Sequence, residues 1–246
     1  MAGLWILGLV LLIAALPVLL VYLWFRFRRF PIPAFWFLLS LLAGAFSVLL
    51  AALLQGLFFR TGSYASGGVS PGDGLGTSFF TVFIRIALPE ETGRILALGL
   101  LFRLARAGKG VPLPTPSKDT GKSGPGEELL GFGALPQGFG AATGLVAGLG
   151  FALIENASYG ASDIMLALLR AFTAAPLHGA CGARIGMGLL GFREGPYRGF
   201  WRFLSAVIIH GMYNLMVISP GIPPILPILI AFSALFTAMQ VIRSYY

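Results

Sequence analysis

The chain predicts an all-α membrane protein, a polytopic bundle of about seven transmembrane helices with its N-terminus outside and its C-terminus in the cytoplasm. Three observations carry that expectation. Of 246 residues, 57% are hydrophobic and only 11% charged, with a mean hydropathy of +0.87, whereas a soluble domain carries about 25% charged residues. Apolar stretches near 3–25, 33–59, 77–105, 136–159, 162–191, 200–218 and 222–242 approach or exceed the roughly 20 residues that a helix needs to cross a bilayer. No sustained polar/apolar alternation marks a membrane barrel.

The breaks between the stretches are chemically marked. Arg26, Arg28, Arg29, Pro31 and Pro33 end the first helix, and Gly67, Gly68, Pro71, Gly72 and Gly74 fill the loop after the second. The first segment has no basic residues ahead of it and a positive cluster behind it, which reads as a retained anchor rather than a cleaved signal peptide. The third stretch carries Glu90, Glu91 and Arg94. Gly140, Gly144 and Gly148 recur at four-residue spacing in the fourth, and Gly182 and Gly186 in the fifth, a spacing that lets helix backbones approach closely. Pro176 is expected to kink or open the fifth helix. Pro223 and Pro224 precede the seventh, with Pro227 in its first turn. The division expected is 1–76 (two helices and an outer loop), 77–218 (the core bundle, with a flexible cytoplasmic loop at 108–133) and 219–246 (the last helix).

Charge sets the orientation. The net charge of +8 is gathered in short loops between apolar stretches, so it reports topology rather than a nucleic-acid partner. Loops after helices one, three and five carry Arg26, Arg28 and Arg29, then Arg103, Arg106, Lys109, Lys118 and Lys122, then Arg193, Arg198 and Arg202. Arg243 follows helix seven, and the opposite loops hold only Arg60. The single cysteine, Cys181, excludes an intramolecular disulfide and any paired-cysteine metal site. One turn from His178, it reads more readily as a buried thiol in Gly-rich packing than as a nucleophile.

The functional expectation rests on titratable groups placed where hydrocarbon penalises them. Both histidines, His178 and His210, and the acids Glu90, Glu91 and Glu155 lie inside apolar stretches. Such groups in a membrane span are rare and are retained for a partner or a task. The candidate catalytic residues are therefore Glu90, Glu91, Glu155, His178 and His210. Arg94, Asn156, Arg170 and Asn214 are the supporting set. One of the two adjacent glutamates is expected to pair with Arg94 while the other faces the site, and Asn214, one turn from His210, is placed to hold that imidazole. Carboxylates and imidazoles in a low-dielectric hollow are the parts needed to activate water. Two histidines and a glutamate also form a catalytic zinc set, here Glu155, His178 and His210. The residues alone leave a zinc mechanism and a metal-free glutamate mechanism equally open. A His-Glu-x-x-His motif is absent. A proton-coupled transporter or channel, built on the same residue types, and a non-catalytic scaffold or immunity-type protein are the competing readings.

Together, Glu90-Glu91-x-x-Arg94, Gly148-Leu149-Gly150-Phe151-Ala152-Leu153-Ile154-Glu155-Asn156-x-x-Tyr159, Arg170 followed by His178, and His210-x-x-x-Asn214 resemble the PrsW family of intramembrane proteases. That family is distantly related to the CAAX-processing and bacteriocin-immunity (CPBP, Abi) membrane proteases. The resemblance covers roughly residues 88–216. It implies site-1-type cleavage of a membrane-anchored protein such as an anti-sigma factor, in a multi-pass protein of a prokaryotic plasma membrane whose partners are that substrate and the bilayer. Three positions depart from the pattern: Arg94 where the family often has Lys, Asn214 where it has Asp, and Gln137-Gly138 where it commonly has Asp-Gly. Depth along the helices puts Glu155, His210 and Asn214 in the outer half and Glu90 and His178 near the centre, so the hollow is expected to open to the extracytoplasmic side.

Overall fold

The computed structural model describes residues 2–30, 32–59, 75–107, 137–191 and 195–244. Every element among them is helical: α1 (Ala2–Arg28), α2 (Ala34–Phe58), α3 (Leu75–Phe80), a π-helical segment (Thr81–Ala87), α4 (Leu88–Ala107), α5 (Gln137–Gly160), α6 (Ile164–Gly191), α7 (Pro196–Ile218) and α8 (Ile225–Ser244). The expected loop at 108–133 lies outside the described residues, as does the one at 60–76 except for Leu75 and Gly76, which begin α3.

Six of these helices are long and apolar enough to cross a membrane, where seven spans were expected. The stretch expected at 77–105 is the one left out. It forms an unbroken helical rod, α3 through the π segment to α4, but Glu90, Glu91, Arg94 and Arg103 lower its apolarity. Glu91 and Arg94 are turned fully inward, each 0% exposed, and Glu90 is buried beside them, so three of these four charges belong to the interior of the bundle, while Arg103 is exposed.

The π segment has a local cause. Pro89 has no N–H to bond the carbonyl four residues back, and its ring crowds that carbonyl. The Leu88 N–H reaches back five residues to the Phe83 carbonyl, and the freed carbonyl of Arg85 accepts a hydrogen bond from Gln55 Nε2 on α2 at 3.2 Å. A π turn inside an α-helix often marks a functional site, and here it immediately precedes Glu90 and Glu91. Pro176 acts differently. Helix α6 runs through it without interruption, so the expected local opening does not occur.

Helix α5 is the centre of the bundle. Within its apolar span 83% of residues are buried, against 11% for α1 and 28% for α2, α7 and α8. It packs along α6 and also meets α1, α2 and α8. Its glycines explain how. A Cβ on Gly144 would strike the Gly182 carbonyl, one on Gly148 the His178 carbonyl, and one on Gly186 the Gly140 carbonyl. The two backbones thus meet with no side chain between them. Gly150 faces α2 in the same way, against the Leu41 carbonyl, and Gly44 faces the Ala147 carbonyl from the α2 side. Trp36 on α2 anchors this second seam, donating from Nε1 to Thr143 Oγ1 of α5 at 2.8 Å. Outer faces carry exposed large apolar side chains such as Leu12, Leu49, Phe58 and Phe236, as a lipid-facing surface requires.

Adding one methyl group at the α5–α6 seam should therefore be disproportionately costly. Gly144→Ala and Gly148→Ala are expected to destabilise the protein by about 1–3 kcal/mol or more. Gly56→Ala, where a Cβ meets nothing within 4 Å, should be neutral or slightly stabilising. Unfolding midpoints in a common detergent check this contrast.

Candidate active site

The interior of the bundle holds one connected set of charged side chains drawn from α4, α5, α6 and α7. Glu91 on α4 is its hub. Arg94, one turn along the same helix, donates to Glu91 Oε2, and His210 Nδ1 on α7 lies 2.7 Å from Glu91 Oε1. The carboxylate is thus satisfied at both oxygens without water. A carboxylate oxygen only accepts, which puts a proton on His210 Nδ1 and turns Nε2 toward the interior. Asn214 makes no hydrogen bond to this ring. Glu91 holds the imidazole where the sequence suggested the amide, because α4 brings a charged acceptor within direct reach.

Glu90 is the glutamate left without a pairing arginine. Its Oε2 is 3.6 Å from His210 Nε2 and is buried without a hydrogen-bond partner. His178 lies beside it, edge-on to His210 with ring centroids 4.9 Å apart. Single donor atoms of Glu90, His178 and His210 all fall within 4.8 Å of one another. The three-residue cluster of metal-ligand type among the described residues is therefore Glu90, His178 and His210, with Glu90 in the place that the sequence reading gave to Glu155.

Glu155 has another position. Its Oε2 is 2.7 Å from His178 Nε2 and 2.7 Å from Arg170 NH2, while Oε1 has no hydrogen-bond partner among the described residues. On the far side of the ring, Arg94 NH2 is 3.2 Å from His178 Nδ1. Arginine can only donate, so Nδ1 accepts and the His178 proton sits on Nε2, donated to Glu155. His178 therefore has both nitrogens engaged. Phe151, one turn before Glu155 on α5, packs on the same group: its ring centroid is 4.9 Å from that of His178 and 4.6 Å from the Arg94 guanidinium carbon.

The set is graded in exposure. Arg94 and Glu91 have 0% side-chain exposure, while Glu155 and Arg170 have 19% and 18%. The accessible edge is thus where α5 ends and α6 begins. Arg170 is held there by Glu155, by Asn156 Oδ1 at 3.1 Å from its Nε, and by the Tyr159 ring, 4.1 Å below its guanidinium. Asn156 is itself buried, with Nδ2 unpartnered. Every residue singled out from sequence except Asn214 belongs to this connected set.

Two members of its wall were not singled out. Tyr213 donates its hydroxyl to Thr173 Oγ1 at 2.9 Å, joining α7 to α6. Each stands three residues after a site residue, His210 and Arg170, so helical spacing from those two was the available signal. Cys181 is fully buried with its thiol 3.5 Å from the Ala206 carbonyl, and it makes no hydrogen bond to the charged set. Arg184 finds neutral acceptors, the carbonyls of Ala180 and Ala234 and the Thr237 hydroxyl.

The interior pairing of Glu91 with Arg94 makes a stability prediction. Arg94→Leu leaves an uncompensated buried carboxylate and is expected to cost about 3–5 kcal/mol. The double variant Glu91→Leu, Arg94→Leu should recover part of that loss, since it removes both charges. A double-mutant cycle on unfolding free energies in detergent checks the sign and size of the coupling.

Comparison with known proteins adds one match. The PrsW-protease family model, described as PrsW family intramembrane metalloprotease, matches residues 32–241, a longer reach than the stretch whose motifs suggested it. No curated protein and no solved structure matches the chain.

Proposed function

The chain belongs to the PrsW family of intramembrane metalloproteases, and on that footing we propose that the Glu90–His178–His210 cluster and Glu155 together hydrolyse a peptide bond of a membrane-anchored protein. As a multi-pass intramembrane peptidase it falls outside the transporter and scaffold readings. A single-span regulatory protein of the anti-sigma type, cut on the outer side of a prokaryotic plasma membrane, is the substrate we propose from the resemblance. The observation that carries the reading is the gathering of three donor atoms within 4.8 Å with a partly exposed carboxylate hydrogen-bonded to one of them.

The residues present fit a divalent metal. Glu90 Oε2 is buried and unpartnered, His210 turns its Nε2 toward that oxygen at 3.6 Å, and two imidazoles plus a carboxylate is an established catalytic zinc set. Glu90, His178 and His210 would hold the ion, and Glu91 would fix His210 in the ligating tautomer, as carboxylates do for metal-bound histidines. A bound cation would supply Lewis-acid polarisation and a lowered pKa for bound water. His178 enters such a set only by giving up its contact to Glu155 or to Arg94. That engagement of both ring nitrogens favours, as a second reading, a glutamate mechanism in which His178 serves only to position Glu155.

In either reading Glu155 does the proton work. Its free Oε1 takes a proton from water as the water oxygen bonds to the scissile carbonyl carbon. The same proton passes to the amine nitrogen as the C–N bond breaks. Arg170, on the accessible edge and tethered by Asn156 and Tyr159, is placed to donate to the oxyanion that forms between those steps.

Glu155→Gln should lower turnover of a single-span substrate in liposomes by on the order of 10²–10⁴, with the protein still folded in the membrane; cleavage at the wild-type rate would overturn the assignment. Chelator separates the two readings: full loss with recovery on adding zinc supports the metal-dependent one, and undiminished cleavage supports the metal-free one. Access provides an independent check. In a Cys181→Ala background, Tyr159→Cys should react with an impermeant thiol reagent from the extracytoplasmic face and not from the cytoplasmic one.

A further inference from the structure

A cavity lies at the other end of the bundle from Glu155 and Arg170, where α1 gives way to α2. It encloses about 390 Å³ and is lined by Tyr22, Phe25, Arg26, Arg29, Phe30 and Phe37, among others. That volume is within the range of small-molecule clefts. Its aromatic walls are braced by edge-on contacts, Tyr22 with Phe37 at 5.2 Å and Phe25 with Phe30 at 5.2 Å between centroids.

The turn that closes it is built to present cations. The Phe30 N–H bonds back to the Phe25 carbonyl at 3.0 Å and the Arg29 N–H to the Arg26 carbonyl at 3.2 Å, while Arg29 takes a left-handed φ of 54°. An arginine there is unusual, since glycine meets that demand at no steric cost. Arg26 and Arg29 are exposed, and no described carboxylate pairs with either. A third cation approaches from the last turn of α8, where the Arg243 guanidinium carbon is 5.9 Å from the Trp24 ring centroid; that ring packs on Phe30 at 4.9 Å.

Position identifies the occupant. The cavity sits between two apolar spans, where one ends at Arg28 and the next begins at Ala34, and it is flanked by Phe27 and Phe35, 81% and 57% exposed. Tyr22 and Trp24, in the last two turns of α1, are of the type that sits at the lipid–water boundary. The charge distribution along the sequence puts the same end on the cytoplasmic side. A cationic, ring-walled hollow at that level faces phospholipid headgroups rather than bulk solution. We propose that it binds the headgroup of an anionic phospholipid, with the phosphate between Arg26 and Arg29 and the acyl chains running down the exposed faces of α1 and α2.

The test uses the full chain in an uncharged detergent, titrated separately with short-chain phosphatidylglycerol, short-chain phosphatidylcholine and inorganic phosphate. Native mass spectrometry and the melting temperature are the readouts. Phosphatidylglycerol should bind with one-site saturation and raise the melting temperature, while the other two should not. Arg26→Gln combined with Arg29→Gln should weaken that binding on the order of thirty-fold. Either single change should weaken it on the order of five-fold, which keeps the test open if the double variant is unstable. Arg28→Gln, on the same turn but outside the cavity lining, should leave binding unchanged. Equal binding of phosphatidylcholine, undiminished binding in the Arg26/Arg29 variants, or an equal loss in Arg28→Gln would overturn the proposal. Saturation by inorganic phosphate in place of the lipid would overturn it as well, making the site one for a free anion.

Discussion

Taking a carboxylate out of water is among the costliest things a membrane protein can do, and Glu91 does it completely. The cost is met by two donors that reach it from opposite directions, Arg94 along α4 and His210 across from α7. Because Arg94 is then held in place, its second nitrogen reaches His178 and fixes which ring nitrogen carries the proton. That choice aims the other nitrogen at Glu155, and Glu155 in turn receives Arg170. One buried charge thus sets which ring nitrogen donates in both histidines. Glu90 is the exception. The adjacent acid is left with an oxygen that no described residue satisfies, so the two neighbouring glutamates are chemically unequal.

The identity of these residues was legible in the sequence for a physical reason. A titratable group inside an apolar stretch is rare enough that its presence carries information by itself, and Glu90, Glu91, Glu155, His178 and His210 all stand out on that ground. The helical architecture was legible for the same kind of reason, since apolar length and basic loops are local properties. What could not be read was pairing. His210 had a plausible partner one turn away in Asn214, yet it takes Glu91 from a residue 119 positions distant. Glu90 rather than Glu155 completes the cluster with the two histidines, because depth and rotation of packed helices decide such distances. The π segment fell between these cases: Pro89 was visible, but its effect depended on Gln55 of another helix supplying the missing hydrogen bond.

The two ends of the molecule are built on opposite principles. At the α5–α6 end, cations and anions are matched almost one to one, and exposure falls away quickly from Arg170 inward. At the α1–α2 end, arginines accumulate with no described carboxylate beside them, around rings rather than acids. Internal pairing serves chemistry that must exclude water. Exposed arginines over aromatic walls suit the anionic headgroup proposed for that end.

The glycine seam between α5 and α6 also governs mechanics. With carbonyls of one helix resting directly on the glycine backbone of the other, there is no compressible side chain to act as a spring, and Glu155 and His178 are carried on what amounts to a single stiff beam. Bilayer thickness, membrane tension or a bulky guest can therefore alter the spacing between that beam and its surroundings far more readily than the spacing within it. On the opposite side the Phe83 ring fills the notch at Gly211, so α7, which carries His210, meets the π-helical segment through a side chain rather than backbone to backbone.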